Sequence, residues 1–259
     1  MKELKIGKHK VVVYEAVEDL PILRYHRFNK YMIVDAGLGT DISVLDEKIT
    51  RILNFLRTNS QQKARTELLN LRQSIYLLQE ELTPKHLAFA TLVQSIDGQE
   101  TSDLSEEGLM KTMSLLNDVP VGDVAKFVLE LKKKLDEEIV LYAPKLFDDS
   151  RAKEYYSVIR ARTIAFCNAL IEGRDPEEDP EVLKYDQELN DKDEPMNFYA
   201  QESQELKMDK DFEYACLTIS QHLNADAKKF TVLEYYNALN YIQDLAEHQK
   251  KENDRRKRK

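Results

Sequence analysis

The chain has 259 residues, of which 42% are hydrophobic and 33% are charged, and its formal net charge is −9. This length suits one large domain or two smaller ones, and seven glycines and seven prolines are too few for the many turns of a β-sandwich. A net negative chain is expected to be repelled as a whole by nucleic acid and anionic membranes. The composition predicts a mainly α-helical protein with long solvated helix faces.

The N-terminal region contains the best strand candidate of the sequence. Residues Lys10–Ala16 form a short segment that is rich in β-branched side chains. Because a single strand leaves its backbone groups unsatisfied, we expect it to pair with Tyr31–Asp35 or with a strand of another subunit. Pro21 suits the first turn of a helix that runs to about Tyr31.

Two apolar helices follow, and their short connection predicts an antiparallel hairpin. The first has one apolar face, which consists of Leu45, Ile49, Ile52, Leu53 and Leu56. The second runs from about Gln61 to Leu82. Its heptad seam consists of Ala64, Leu68, Leu71, Ile75, Leu78 and Leu82. Such a seam packs inside one bundle or forms a subunit interface, and both interpretations stay open.

Four further helices are predicted between residues 84 and 172. They begin at Pro84, Ser105, Val121 and Ser150. The first of them ends near Ser95, before Asp97-Gly98. The third has a clear stripe of Val124, Val128, Leu131, Leu135, Ile139 and Tyr142. The fourth carries Tyr155, Ile159, Phe166 and Leu170 on one side. We expect these stripes to face a helical bundle core, with a subunit interface as the alternative for the third.

The composition changes after residue 173. Residues 174–195 hold ten acidic and three basic side chains, a net charge of −7. Two Asp-Pro steps and one Glu-Pro step lie within them, so we expect an extended, solvated linker over residues 174–206. The sequence is therefore divided into an N-terminal helical domain (1–173), this acidic linker and a C-terminal helical pair (207–259).

The C-terminal pair is expected to pack against another body. Its first helix spans Asp211–Leu223, and a capping box at Thr231–Glu234 starts the second. The second helix carries a heptad face of Val232, Tyr235, Leu239 and Ile242. Two helices alone bury little surface, so this C-terminal arm should meet the N-terminal domain, another subunit or a partner.

The end of the chain is strongly basic. Residues 250–259 have a net charge of +5 and end in the basic tail Arg255, Arg256, Lys257, Arg258 and Lys259. This tail either contacts nucleic acid, anionic lipid or an acidic protein surface, or only solubilises its helix and complements the helix dipole. We expect no signal peptide and no membrane span, because no apolar run is long enough.

No pattern of catalytic, cofactor-binding or metal-binding residues is found. The Gly37-Leu38-Gly39 turn lacks the remaining elements of a dinucleotide fingerprint and of a P-loop. No two histidines lie close in sequence, and Asn190–Glu194 lacks the central glycine of a calcium loop. Cys167 and Cys216 lie in apolar helical patterns, so we expect two buried thiols and a reducing compartment. We expect a protein that is not an enzyme and needs no cofactor.

Two segments carry a resemblance to known proteins. Residues Tyr14–Tyr31 and the following Asp35–Asp41 are similar to the N-terminal region of poorly characterised proteins from the structural gene clusters of tailed phages of gut Bacteroidetes, including the crAss-like group. The resemblance covers roughly Val11 to Leu82 and contains no catalytic signature. It implies a virion or assembly role, as a neck or tail ring component or as a chaperone for a tail protein. It also implies a location in the host cytoplasm during assembly and then in the virion.

The sequence thus predicts a helical bundle with a short N-terminal β element, an acidic linker and a C-terminal helical arm. The hypothesis is a non-enzymatic phage structural or assembly protein that forms homo-oligomers and binds other virion proteins. Its interface residues would be Val11, Val12, Val13 and Tyr14, added to a neighbour's sheet, together with Val232, Tyr235, Leu239 and Ile242. The alternatives are a tail-assembly chaperone, or a binding module whose basic tail contacts nucleic acid.

Overall fold

The computed structural model describes residues 1–34, 42–77, 83–116, 121–147, 150–192, 195–196, 198 and 203–257. It confirms a mainly α-helical fold with a short N-terminal antiparallel strand element. In chain order, the elements are strands β1 (Lys2–Ile6) and β2 (His9–Val13), helices α1 (Ile22–Val34), α2 (Ile42–Arg57), α3 (Gln61–Leu77) and α4 (Pro84–Leu92), strands β3 (Val93–Ile96) and β4 (Gln99–Glu100), and helices α5 (Glu106–Ser114), α6 (Val121–Tyr142), α7 (Ser150–Ile171), α8 (Pro180–Lys192), α9 (Gln204–Leu223) and α10 (Val232–Lys257).

Two compact units divide the chain. Unit 1 comprises Met1–Asp35, Glu80–Phe147 and Glu205–Lys259, and unit 2 comprises Ala36–Gln79 and Asp148–Gln204. Both ends of the chain therefore belong to unit 1, and unit 2 is formed by two inserted segments. The predicted division at residues 173 and 206 is replaced by boundaries near residues 35, 80, 147 and 205.

A four-stranded antiparallel sheet in the order β1-β2-β3-β4 lies in unit 1. In the central strand β2, Val12 is paired with Glu3 of β1 and with Ser95 of β3. The predicted strand is present, but its predicted partner is wrong, because residues 31–34 belong to helix α1. Strand β1 was missed in the sequence because three of its five residues are charged.

A tight turn at Asp97-Gly98 joins β3 to β4. Both residues have positive φ, at 50° and 80°, which is the combination that an Asp-Gly hairpin turn requires. The sequence prediction placed these residues at a helix end, whereas α4 stops at Leu92 and the chain continues directly into β3.

The core of unit 1 is formed by the sheet and by helices α1, α4, α6, α9 and α10. The α6 stripe is buried at Val124, Val128, Leu131, Leu135 and Ile139, as predicted, whereas Tyr142 is exposed. Other large core residues are Leu20, Ile22, Phe28, Leu92, Leu109 and Ile219.

The C-terminal helices are part of this core. Cys216 of α9 and Val232 of α10 are buried in the same cluster as the α6 stripe. The backbone joins them as well, since the N–H of Val232 donates to the carbonyl of Leu20 at 2.9 Å. The predicted capping box is confirmed: the Glu234 N–H donates to Thr231 Oγ1, and the Thr231 N–H donates to Glu234 Oε2.

A buried arginine joins three elements of unit 1. Arg24 of α1 is 8% exposed, and its guanidinium donates to the carbonyls of Thr91 and Val93, both at 2.9 Å, and to that of Thr101. Burial lowers the pKa of this guanidinium. The carbonyls replace water as its hydrogen-bond partners, which allows a charged group to lie in the core.

Unit 2 contains helices α2, α3, α7 and α8, and α8 corrects the predicted acidic linker. The expectation of an extended chain over residues 174–206 is wrong at Pro180–Lys192, where the proline occupies the start of a helix. Asp179 caps that helix: its Oδ1 accepts hydrogen bonds from the N–H groups of Glu181 and Val182. Asp179 is buried and forms an ion pair with Arg174.

The predicted apolar stripes of unit 2 do not coincide with its interior. On α7, Val158, Ala165 and Ala169 are buried, while Tyr155 and Leu170 are exposed. The prediction of two buried thiols is wrong for one of them, because Cys167 is exposed and Cys216 is buried. Small residues line the inner face of α7. Hydropathy alone predicted that the larger apolar residues on its other side would face the core.

Candidate interaction surfaces

The predicted strand interface is not available for pairing with a neighbour. Val11 and Val13 are fully buried, and Tyr14 is nearly so. Val12 lies between two strands of the same sheet, and the Tyr14 N–H donates to the Leu92 carbonyl at 2.9 Å. Because β2 is bonded on both sides, it has no free edge for a further strand.

The predicted α10 interface lies in the interior of unit 1. Val232 and Tyr235 are buried, and Leu239 and Ile242 are partly buried against the same core. The Tyr235 ring lies 5.8 Å from that of Phe212 on α9. These residues fix the C-terminal pair to its own chain, so they are correctly identified as a packing face but not as a surface for another molecule.

A polar cluster ties α1 to α9. Asp209 accepts a hydrogen bond from Lys30 Nζ at 2.8 Å, and its other oxygen lies 2.8 Å from His26 Nε2. Partial burial alone would raise the pKa of Asp209, but the hydrogen bonds from Lys30 and His26 lower it overall. The His26 ring also stacks on Phe212 at 4.2 Å. These contacts are satisfied within unit 1 and serve its packing.

A shallow groove of about 420 Å³ lies beside the β3–β4 turn. Its walls include His9, Asp97, Glu100 and Lys111. His9 Nδ1 lies 2.6 Å from Asp97 Oδ2, and the hydrogen bonds from His9 and from the Lys10 N–H lower the pKa of Asp97. The contact holds two hairpin turns together. No group of three metal-ligating side chains occurs among the residues that the structure describes.

Exposed apolar residues recur on the hairpin of unit 2. Five large aliphatic residues, each between 41% and 56% exposed, lie on α2 and α3. They are Ile49, Leu53, Leu56, Leu68 and Ile75, and we call them the α2–α3 surface. They include part of the predicted heptad seam. Of that seam, Ala64 and Leu71 are buried, and Leu78 and Leu82 lie outside the described residues.

The interior of the same hairpin is unusually polar. Glu67 of α3 is 4% exposed and lies 3.5 Å from the Arg51 guanidinium of α2. Its other oxygen accepts a hydrogen bond from Asn70 Nδ2 at 3.2 Å. A buried Phe55 is the main large apolar residue on the inner face of α2. The hairpin therefore buries Glu67 and Asn70 together with Phe55, Ala64 and Leu71, while it exposes five leucine and isoleucine side chains.

Helix α8 covers the opposite side of this hairpin. Asn190 Nδ2 donates to the Asn54 carbonyl and to Thr58 Oγ1, and Lys63 Nζ donates to the Asn190 carbonyl at 2.7 Å. At roughly 100° per residue, Asn54 and Thr58 lie more than about 90° around α2 from each residue of its exposed stripe. Asn190 therefore packs α8 onto α2.

Helix α7 adds a second apolar surface to unit 2. Tyr156, Ile164 and Ile171 are all more than half exposed. Monomeric proteins rarely leave many large apolar side chains exposed on neighbouring helices, and such patches commonly mark contacts with other proteins.

The basic end of the chain lies on an exposed helix. Helix α10 continues to Lys257, and its described side chains from residue 246 onward, including Arg255 and Arg256, are exposed. Arg258 and Lys259 lie outside the described residues, as does the Gly37–Gly39 turn. The segment therefore extends from unit 1 as a charged helix whose last turn is basic.

Comparisons with known proteins give no relative. No protein-family model matches the sequence, no curated protein matches it significantly, and no solved structure matches the fold significantly. Among the described helices, none is both long and apolar enough to cross a membrane.

Proposed function

We propose that this chain is a non-enzymatic structural or assembly protein that works through protein–protein interfaces, with unit 2 providing the principal contact surface. One observation carries the proposal: the α2–α3 surface exposes five large aliphatic side chains, while the same hairpin buries the polar Glu67 and Asn70. Burying such residues against another protein is favourable by about 25 cal/mol for each Å² removed from water. Leaving them in water contributes nothing to the stability of the monomer.

The setting that we propose is the virion of a tailed phage. The setting is motivated by the resemblance of Val11–Leu82 to proteins of phage structural gene clusters, a stretch that includes α2 and α3. A homo-oligomeric neck or tail ring component would use helix faces of this kind between subunits. A tail-assembly chaperone would use the same surface to hold a tail protein, and would be a monomer when free.

Light scattering of the purified chain tests the proposal. We expect a mass of at least twice the 30.2 kDa of one chain, and we expect it to persist at high salt because apolar contacts are not screened. The double variant Leu53→Asp with Leu68→Asp should give a monomer. A matched control, Leu141→Asp with Leu217→Asp, changes two comparably exposed leucines of unit 1 and should retain the wild-type mass. A wild-type monomer at all concentrations would contradict the homo-oligomeric role.

A second candidate function is favoured by the exposed basic end of α10. In this role the last turn binds the phosphate backbone of nucleic acid, with an affinity that falls steeply as salt increases. Deleting residues 250–259 should then abolish binding to duplex DNA at low salt while leaving the oligomeric mass unchanged. Equal binding by the deletion variant would exclude this role for the basic end.

A further inference from the structure

We propose that two copies of the chain pair through the α2–α3 surface, with their α2 helices antiparallel and the two-fold axis near Leu53. This inference rests on the proposed function, and it assigns the occupant of that surface as a second copy of the same chain. It also fixes the direction and register of the contact.

The spacing of the exposed stripe is the first argument. Ile49, Leu53 and Leu56 follow one another at intervals of four and three residues, so they lie within roughly 60° of one another around α2. This is the repeat with which helices pack knobs into holes along a seam. On α3, Leu68 and Ile75 repeat the same interval of seven residues.

Charge complementarity selects the antiparallel direction. The exposed Asp46 and Glu47 lie toward the N-terminal end of α2, and the exposed Arg57 lies at its C-terminal end. When two copies pair antiparallel about Leu53, Arg57 of each copy lies within about one turn of the acidic pair of the other. Parallel pairing would place like charges together. The Arg57 guanidinium donates to the Glu177 carbonyl, and its five N–H groups permit further contacts.

The helix dipoles favour the same direction. Each α2 has a partial positive charge at its N-terminus and a partial negative charge at its C-terminus, so antiparallel neighbours attract. A two-fold axis also makes the interface self-complementary, because Ile49 of one copy then meets Leu56 of the other. This contact by itself joins two subunits, so a ring of more subunits would need a second, heterologous contact elsewhere on the chain.

The register sets the area of the contact. Helix α2 ends at Arg57, so a two-fold axis at Leu53 places residues 49–57 of the two α2 helices alongside each other, over a length of about 12 Å. With the adjoining turn of each hairpin the overlap is about 15–18 Å long and, at an interaxial distance of about 10 Å, about 20 Å wide. The footprint is about 350 Å² on each copy and about 700 Å² in total, which is the size of a weak contact that forms and dissociates with protein concentration.

Disulfide cross-linking tests the register. Cys167 is exposed, so all variants carry Cys167→Ser. Leu53→Cys should form a disulfide-linked dimer under mild oxidation, because facing Cα atoms near the axis lie within disulfide range. Ile49→Cys and Leu56→Cys should cross-link when the two variants are mixed, but neither should cross-link alone. In the proposed register, the same residue of the two copies lies about 9–12 Å apart along the paired helices. Leu141→Cys on α6 is the control, and its cross-linking gives the level that is due to random collisions between chains.

Each outcome has a definite meaning. Self-cross-linking of all three α2 variants would indicate parallel helices and overturn the inference. No cross-linking above the Leu141→Cys control in an oligomeric chain would place the interface elsewhere, so the inference would fail while the proposed function stands. If light scattering shows a monomer and no cross-link forms, the inference and the homo-oligomeric role both fail. The antiparallel dimer is supported if a disulfide-linked dimer forms with Leu53→Cys alone and with the mixture of Ile49→Cys and Leu56→Cys, and with no other variant.

Discussion

The two units differ in the size of their apolar cores. In unit 1, the α6 stripe is buried apart from Tyr142, and the buried Arg24 is surrounded by carbonyls. In unit 2, the hairpin buries Glu67 beside Arg51, and it exposes Leu53 and Leu68. Unit 1 therefore has an extensive apolar core of its own, whereas the α2–α3 surface of unit 2 carries apolar side chains that another protein can cover.

The largest expected effect comes from the core of unit 1. Phe28→Ala removes a fully buried ring and should lower the free energy of unfolding by about 3–5 kcal/mol. Leu53→Ala, in dilute solution where the chain is monomeric, should change it by less than about 0.5 kcal/mol because the side chain is already exposed. Urea unfolding of both variants at low concentration measures the contrast. Similar losses would erase the distinction between the units.

The next largest loss of stability is expected on removing the buried charge of Arg24. Arg24→Met leaves the carbonyls of Thr91 and Thr101 without the guanidinium, and each orphaned buried carbonyl costs about 1–3 kcal/mol. We expect a loss of about 2–4 kcal/mol in urea unfolding. Arg27→Met on the same helix is the control, since Arg27 is exposed. Wild-type stability of Arg24→Met would show that the carbonyl contacts do not hold the unit together.

The contribution of the Asp179 cap to the stability of helix α8 in unit 2 can be measured. Asp179→Ala removes the cap of α8 and the partner of Arg174, and it should cost about 1–2 kcal/mol. Glu178→Ala changes the exposed neighbour and should be nearly neutral. Thermal unfolding followed by circular dichroism compares the two. If the two variants unfold at the same temperature, the capping contact is not what stabilises this segment.

The smallest effect concerns pH. The pKa of Asp209 lies below its ordinary value of 3.8, so its contribution to stability is fully present above that value. It is lost as the pH falls through the folded-state pKa. Asp209→Asn should therefore be less stable than wild type at pH 7, and the difference should vanish at the acid end of a pH series of unfolding curves. A difference that does not change with pH would exclude the ionised carboxylate as its cause.

Part of this fold follows directly from the sequence. The α6 stripe, apart from Tyr142, and the Thr231–Glu234 capping box were predicted correctly, because both depend on local spacing. The same spacing on α2 and α3 predicted apolar faces but not what covers them, because periodicity does not distinguish an interior from an interface. The α8 helix was missed because acidic composition suggested a linker, although Asp179-Pro180 is a good cap and first-turn pair.

Other features depend on contacts that are distant in the sequence. Nothing near Arg24 indicates that carbonyls 67 to 77 residues away will surround it. Strand β1 is short and charged, and it is defined by its pairing with β2. The position of β2 in the middle of the sheet, which excludes Val11–Tyr14 as an added strand, follows only once β1 and β3 are known.

Amide hydrogen exchange at two protein concentrations tests the central claim most directly. If α2 pairs with a second copy, the amides of residues 49–56 should exchange more slowly at high concentration, because association suppresses local opening of this helix. The amides of α6 in unit 1 should exchange at the same rate at both concentrations. Exchange in α2 that does not depend on concentration, in a range where the mass of the chain changes, would contradict the assignment of this surface as the interface.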